Sequence, residues 1–335
     1  MTHEFKNIIA EYRKASKAGM KCILATVVAL DGSSYRRPGV RMLLLENGEM
    51  VGAVSGGCVE KEVFRQASTV FKSGEPKVMT YDGRYRLGCE GVLYILLEPM
   101  DLSQGTLEFI DNCLTNRKSF SLESHYQKEY SENEHYGTVL HLGKQKLPFR
   151  ESFDPEEENY IFQQKMEPCF RIILIGAEHD TVQLCSMAAS TGWEVTIVVH
   201  PNEEKELKDF PGASELIADE GETLDLRIDN ETAIVLMTHS YVKDLKYLMA
   251  LKGSKPIYFG LLGPLRRREK LFNELLEMDS DIDSDFLELV HGPAGLDIGA
   301  ETPQEIALSI LSEIIAVTNQ KSVNTLKEKE GRIHA

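Results

Sequence analysis

The sequence predicts an α/β protein in two parts: an N-terminal mixed α/β domain, then a C-terminal Rossmann-like domain with a doubly wound parallel sheet. Three observations carry that expectation. The chain has 335 residues, too many for one ordinary hydrophobic core and enough for two domains of average size. Short β-branched runs alternate with helix-period segments, and the second half opens as a βαβ unit: strand 171–175, Gly176, a helix through Leu184, Met187 and Ala188, then strand 194–199. Between the halves, Glu151-Ser152-Phe153-Asp154-Pro155-Glu156-Glu157-Glu158-Asn159 breaks the pattern with acids and a proline. The expected organisation is residues 1–150 as the first domain, 151–168 as a linker, 169–320 as the Rossmann-like domain and 321–335 as a polar tail.

Taken in order, Phe5, Ile8, Ile9 and Tyr12 keep helical spacing up to Gly19. Residues 22–30 are rich in β-branched side chains and read as a buried strand feeding Asp31-Gly32-Ser33-Ser34-Tyr35-Arg36-Arg37-Pro38-Gly39. Two apolar runs, 40–45 and 50–54, flank Glu46-Asn47-Gly48-Glu49, a strong hairpin signal. Antiparallel pairing then brings Gly39 and Ser55 to the same end of the sheet. The second run leads into Ser55-Gly56-Gly57-Cys58-Val59-Glu60 and a helix whose apolar face is Val59, Val63, Phe64, Ala67, Val70 and Phe71, ending at Gly74. A strand near 78–81 turns through Asp82-Gly83, and Leu87-Gly88-Cys89-Glu90-Gly91 precedes another at 92–97. A helix is expected around 107–114, and the polar alternating segments 119–126 and 138–142 read as edge strands.

In the second half, strands at 233–237 and 257–260 end in Thr238-His239-Ser240 and Gly260-Leu261-Leu262-Gly263-Pro264. Arg266-Arg267-Arg268 reads as the start of a solvated helix. His291 to Gly299 is a glycine-dense loop of fixed irregular backbone, beside a ligand or an interface. Thr302-Pro303-Gln304-Glu305 is a full capping box opening a structural helix with Ile306, Ile310 and Ile314 on its apolar face.

Composition narrows the function. With 53 acidic against 37 basic side chains, the net charge of −16 argues against nucleic acid and anionic membrane surfaces as partners. The six cysteines are scattered with no C-x-x-C pair, which fits reduced thiols and neither a zinc knuckle nor a disulfide framework. The first residues are polar and acidic, unlike a signal peptide, and no apolar run nears the roughly 20 residues of a membrane helix. A cytoplasmic protein is expected.

Two loops invite chemistry, each with a plain alternative. Ser33, Ser34, Arg36 and Arg37 make an anion cradle or an ordinary solvated loop. Cys58 at a helix start is either a thiolate favoured by the helix dipole or a small buried residue in a tight turn. In the βαβ unit the dinucleotide fingerprint is damaged: Glu178 and Thr181 replace its later glycines, and His200-Pro201 follows the second strand where an acid is needed, which argues against NAD(P). His239 is a general base or ligand, or it caps the helix starting near Tyr241.

The residues Gly32-Ser33-Ser34 with Arg36-Arg37-Pro38-Gly39, the run Ser55-Gly56-Gly57-Cys58-Val59-Glu60 and the stretch from Gly292 to Ser309 resemble the xanthine dehydrogenase accessory protein (XdhC/CoxI) family. The resemblance spans both halves. It implies a cytoplasmic chaperone, often dimeric, that binds molybdenum cofactor in its molybdopterin form, supports its sulfuration and delivers it to a molybdenum hydroxylase such as xanthine dehydrogenase. A cysteine desulfurase is the implied sulfur source. The cofactor-binding residues so implied are Ser33, Ser34, Arg36, Arg37, Ser55, Gly56, Gly57, Cys58, Glu60 and Cys89, with Gly176, His179 and His239 in the second half and Cys58 as a molybdenum ligand. The chain departs from the family pattern at Glu178, His200, Pro264 and Glu90. Two other readings stay open: an NAD(P)-dependent oxidoreductase or a constituent chain of xanthine dehydrogenase itself, and an assembly partner that binds no ligand.

Overall fold

The structure is a computed structural model, and it describes residues 1–32, 34, 37–55, 58–83, 91–156, 158–221, 224, 226 to 329, with Cys58 described by its backbone alone. The chain forms two compact units, Met1–Pro168 and Cys169–Ala335.

The first unit runs α1 (Thr2–Lys17), β1 (Cys22–Asp31), β2 (Arg41–Leu45), β3 (Met50–Gly52), α2 (Cys58–Ser73), β4 (Lys77–Asp82), β5 (Val92–Pro99) and α3 (Gln104–Thr115). It continues with β6 (Phe120–Tyr126), β7 (Ser131–Glu132), β8 (Gly137–Leu142), β9 (Gln145–Pro148) and β10 (Tyr160–Met166). These strands make an antiparallel six-stranded sheet, β3-β2-β1-β5-β4-β7, and a four-stranded sheet, β10-β6-β8-β9. Strand alternation divides the core. Ile23, Ala25, Val27, Met42 and Leu44 face α2 through Val59, Val63, Ala67 and Val70. Leu24 and Leu43 face the other way, onto Leu122 and Leu140 of the second sheet and onto Phe5 and Ile8 of α1.

Two expectations are corrected here. The segments read as edge strands are β6 and β8, the two central strands of the four-stranded sheet. Ser124 and Thr138 in these strands are buried and bonded instead of wet: their hydroxyls lie 2.9 Å apart, and Thr138 Oγ1 donates to Glu98 Oε1 at 2.5 Å. The stretch read as a linker contains β10, which pairs with β6 from Tyr160↔Tyr126 to Met166↔Phe120.

The pairing registers place Asp31 opposite Val92, Asp82 opposite Val92, Thr26 opposite Arg41 and Met42 opposite Gly52. Connections 32–40, 53–57 and 83–91 therefore all leave one end of the six-stranded sheet. The Asn47-Gly48 hairpin forms, with Gly48 at φ +97°, and it brings Gly39 and Ser55 to that end.

The second unit runs β11 (Arg171–Ile175), α4 (His179–Ser190), β12 (Glu194–Val199), β13 (Glu215–Ala218), β14 (Thr232–Leu236), α5 (Tyr241–Leu251) and β15 (Tyr258–Leu261). It ends with α6 (Leu265–Met278), α7 (Ser284–Leu289), β16 (Val290–His291) and α8 (Pro303–Thr318). Its sheet is parallel in the order β13-β12-β11-β14-β15-β16, the doubly wound arrangement, with the change of direction between β11 and β14. The expected capping box opens α8, where Thr302 Oγ1 accepts from Glu305 N. Ala307, Ile310, Leu311 and Ile314 bury that helix. Among the described residues no helix is long and apolar enough to cross a membrane.

Candidate functional site

In the first unit the site is assembled by the sheet end. The turn after β3 is held by Glu60, whose Oε1 accepts from Ser55 N at 2.7 Å and whose Oε2 accepts from Ser55 Oγ at 3.3 Å. Glu60, in the first turn of α2, thus reaches back to Ser55 with both carboxylate oxygens. Helix α2 starts at Cys58, so its unpaired first-turn N–H groups and positive dipole end lie at this sheet end. Beside it the arginine-bearing loop is anchored at both ends. Asp31 accepts from Tyr94 OH at 3.0 Å and pairs with Lys128, which holds the Asp31 carboxyl below its ordinary range. At the other end Gly39 N donates to Val27 O at 2.8 Å, and Arg41 Nη1 donates to Gly39 O at 2.9 Å.

Of the expected residues here, Ser34 is partly buried and Arg37 is exposed. Ser33, Arg36, Gly56, Gly57, Cys89 and the Cys58 side chain lie outside the described residues. The segment carrying Cys89 is flanked by Gly83 and Gly91, which pair at 3.0 Å at the same sheet end. Sequence reasoning missed Arg41, Glu98 and Gln164. A signal existed, because Arg41 interrupts a strand otherwise made of apolar residues.

In the second unit, Gly176 directly follows β11 at φ +152°, and a Cβ there would lie 2.5 Å from Met237 O, so only glycine lets the chain approach so closely beyond the ends of β11 and β14. Glu178 is the N-cap of α4, is exposed and makes no side-chain capping bond. A small open cleft lies at the ends of β11, β12 and β14, with Gly176, Glu178, His200, Glu203 and Lys243 in its lining. Lys243 Nζ donates to Glu203 Oε1 at 2.6 Å and holds that carboxyl below its ordinary range.

His179 is exposed on the first turn of α4. His239, at φ +55°, lies with Nε2 3.3 Å from Asp180 Oδ2. It does not cap α5; Ser240 does, its Oγ accepting from Lys243 N at 3.5 Å. Nor is the arginine triplet simply solvated, since Arg267 Nη2 donates to the buried Asp244 at 2.6 Å. Among the described residues no group of three or more His, Cys, Asp or Glu side chains is placed to hold a metal.

Residues 172–314 match the XdhC Rossmann domain and residues 15–82 match the XdhC and CoxI family. The chain is 30% identical over 324 residues to a protein of Bacillus subtilis (strain 168) named as a probable xanthine dehydrogenase subunit, covering 90% of this chain and 95% of that protein. It is 25% identical over 336 residues to the molybdenum cofactor insertion chaperone PaoD of Escherichia coli (strain K12), covering 95% and 90%. A solved structure described as a xanthine dehydrogenase from Bacillus halodurans matches with a TM-score of 0.75 and 25% identity, over 96% of this chain and 98% of that one. Fold and site together define a two-unit α/β protein that joins an antiparallel unit with converging loops to a Rossmann-like unit. Within that class, the chain belongs to the XdhC and CoxI family.

Proposed function

We propose that this chain binds molybdenum cofactor and delivers it, after sulfuration, to a molybdenum hydroxylase such as xanthine dehydrogenase, in purine catabolism. The observation that carries the reading is the shared sheet end, from which the loop of Ser34 and Arg37 and the N-terminus of α2 at Cys58 both emerge. The cargo is a phosphate-bearing pterin dithiolene with a molybdenum centre. Its phosphate suits arginine forks, hydroxyls and helix N–H groups, and a thiolate at Cys58 is a soft ligand for the metal. Ser33, Arg36, Gly56, Gly57 and Cys89 belong to the same proposal. The relative named as a molybdenum cofactor insertion chaperone supports it. The chain acts as a cytoplasmic carrier without turnover of its own, as a homodimer, with sulfur supplied by a cysteine desulfurase. A second reading, a resident subunit of a xanthine dehydrogenase, is favoured by the names of the two Bacillus relatives.

Reconstitution tests both. Each variant is loaded with cofactor and mixed with cofactor-free xanthine dehydrogenase, and urate formation is followed against free cofactor. Arg36→Ala with Arg37→Ala should lower loading about tenfold or more, the range of one or two charge-assisted hydrogen bonds, with folding intact. Cys58→Ala should keep bound pterin but fail in transfer. If both variants load and transfer like the unmutated chain, the cargo site lies elsewhere. Stable co-purification in stoichiometric amounts with the activated enzyme would favour the resident-subunit reading.

A further inference from the structure

Arg41 stands where an apolar residue is expected. Its strand continues Met42-Leu43-Leu44-Leu45, all buried, and Arg41 itself is only 5% exposed. Its Nη1 donates to Gly39 O at 2.9 Å and to Oε1 of Gln164 on β10. Its Nε and Nη2 are buried with no protein partner among the described residues. A guanidinium kept in the interior with one arm engaged is costly, and an unbranched apolar side chain would fill the same space without that penalty. Packing alone therefore does not account for it.

What Arg41 and Gln164 share is Gly39, the last residue of the arginine-bearing loop. Gly39 takes φ +99°, and a Cβ there would lie 2.6 Å from Gln164 Nε2 and 2.9 Å from its Oε1, so the amide fills the open side of the glycine. The main chain is fixed as well, Gly39 N donating to Val27 O at 2.8 Å and Val27 N to Val40 O at 3.0 Å. Glu98 on β5 lies on the same sheet face, since Glu98 pairs with Leu24 and Arg41 with Thr26, two residues along β1, and when ionised its charge favours the guanidinium against the cost of burial. Glu98 is in turn bonded by Thr138 N at 2.8 Å and Thr138 Oγ1 at 2.5 Å, and it also feels the charge of Arg150.

We infer that Arg41 and Gln164 are positioning residues: they clamp Gly39 to the interior between the two sheets and set the place from which Ser34 and Arg37 meet an anionic ligand. The ligand part of this inference rests on the cargo-binding reading; the clamp itself does not.

Trypsin tests the clamp without any ligand. It cleaves after Arg36 in the loop, is blocked after Arg37 by Pro38, and cleaves after Lys144 in the exposed β8–β9 turn, which serves as the internal control. Arg41→Met should fold, yet raise the ratio of Arg36 to Lys144 cleavage at least fivefold and weaken binding of purified molybdopterin at least fivefold. Gln164→Glu, which keeps an acceptor for Arg41, should remain close to the unmutated chain in both. Should Arg41→Met fail to fold, Gln164→Ala carries the same comparison. A folded Arg41→Met, or failing that Gln164→Ala, with an unchanged cleavage ratio overturns the clamp. If the unmutated chain binds no molybdopterin, the cargo reading fails, while the cleavage ratio still decides the clamp.

Discussion

Each unit leads from a strand into a helix, and the two junctions handle charge in different ways. After β3, the acid of the first helical turn, Glu60, folds back onto Ser55 and is used up inside the turn. The positive end of α2 is thereby left to the outside, next to a loop that carries Arg37. After β11, the N-cap itself is an acid: Glu178 is exposed with no side-chain capping bond, while nearby Asp180 lies beside His239 Nε2 and Glu203 pairs with Lys243. In the cargo-binding reading proposed above the first terminus faces an anion, whereas the acids at the second disfavour one. Fold alone would have suggested the reverse, because the doubly wound sheet is the architecture that places phosphates at its first helix.

The largest effect that tests this contrast is thiol reactivity. Cys22 is 5% exposed, and burial, then the charge of Glu46, pushes its thiol up to about 11; burial does the same to Cys185 in the second unit. At pH 8 only about one in a thousand such thiols is ionised. A thiol at the start of α2 gains thiolate character from the helix dipole. In timed iodoacetamide labelling read by mass spectrometry, Cys58 should react at least about a hundredfold faster than Cys22 or Cys185. Labelling of Cys22 with Cys58 spared in the native protein would make the first turn a packing feature.

Next in size is a contrast between two carboxyls away from the turns. Burial pushes Glu98 up to about 7, against the bonds from Thr138 and the charge of Arg41. For Glu313 burial acts in the same direction but is outweighed by His291 Nδ1 at 3.0 Å, Tyr258 OH at 2.5 Å and Gly295 N at 2.7 Å, and the carboxyl lies below its ordinary range. The signs are opposite. A raised folded-state value means that the stabilising contribution of Glu98 is complete below the ordinary carboxylate value of 4.5 and is lost as pH rises through about 7, ~3 kcal/mol in all. The contribution of Glu313 is present above the ordinary value and is lost only as pH falls. Between pH 5 and 8, hydrogen exchange should therefore show the first unit weakening while the second holds. Glu98→Gln should flatten the trend in the first unit; a slope that survives that change assigns it to another group.

Much of this was legible in the chain, and the misses have a common cause. The hairpin, the strand into α2 and the βαβ unit were readable because their signals are local: Asn47-Gly48, Gly74 and Gly176 sit where turns and caps require them. The second sheet of the first unit was misjudged because Ser124 and Thr138 look like solvent-facing positions, whereas Ser124 bonds Thr138 and Thr138 bonds Glu98, 40 residues away. Strand β10 hid behind the acidic run and its own Gln163, Gln164 and Lys165. The pairing of His239 with Asp180 likewise joins distant segments that no local pattern connects. Polar residues whose partners lie on another layer read as surface, and here they mark the layer between two sheets and the clamp on the loop.

The smallest predicted effect bears directly on the opening contrast. If Glu178 guards the second turn, NADH should bind the unmutated chain only in the millimolar range or more weakly, about −4 kcal/mol by calorimetry. Glu178→Gly removes one like charge from the place a pyrophosphate would occupy and restores the second glycine of the fingerprint. Thr181 stays, because it is fully buried under the turn and its removal would open a void. An exposed charge acting through solvent is worth about 1 kcal/mol, so affinity should rise about fivefold, and the gain should shrink at high salt, where such interactions are screened. A gain that is indifferent to salt would point to backbone approach at the new glycine as the cause. A micromolar dissociation constant for the unmutated chain would remove the contrast between the two turns and favour an oxidoreductase.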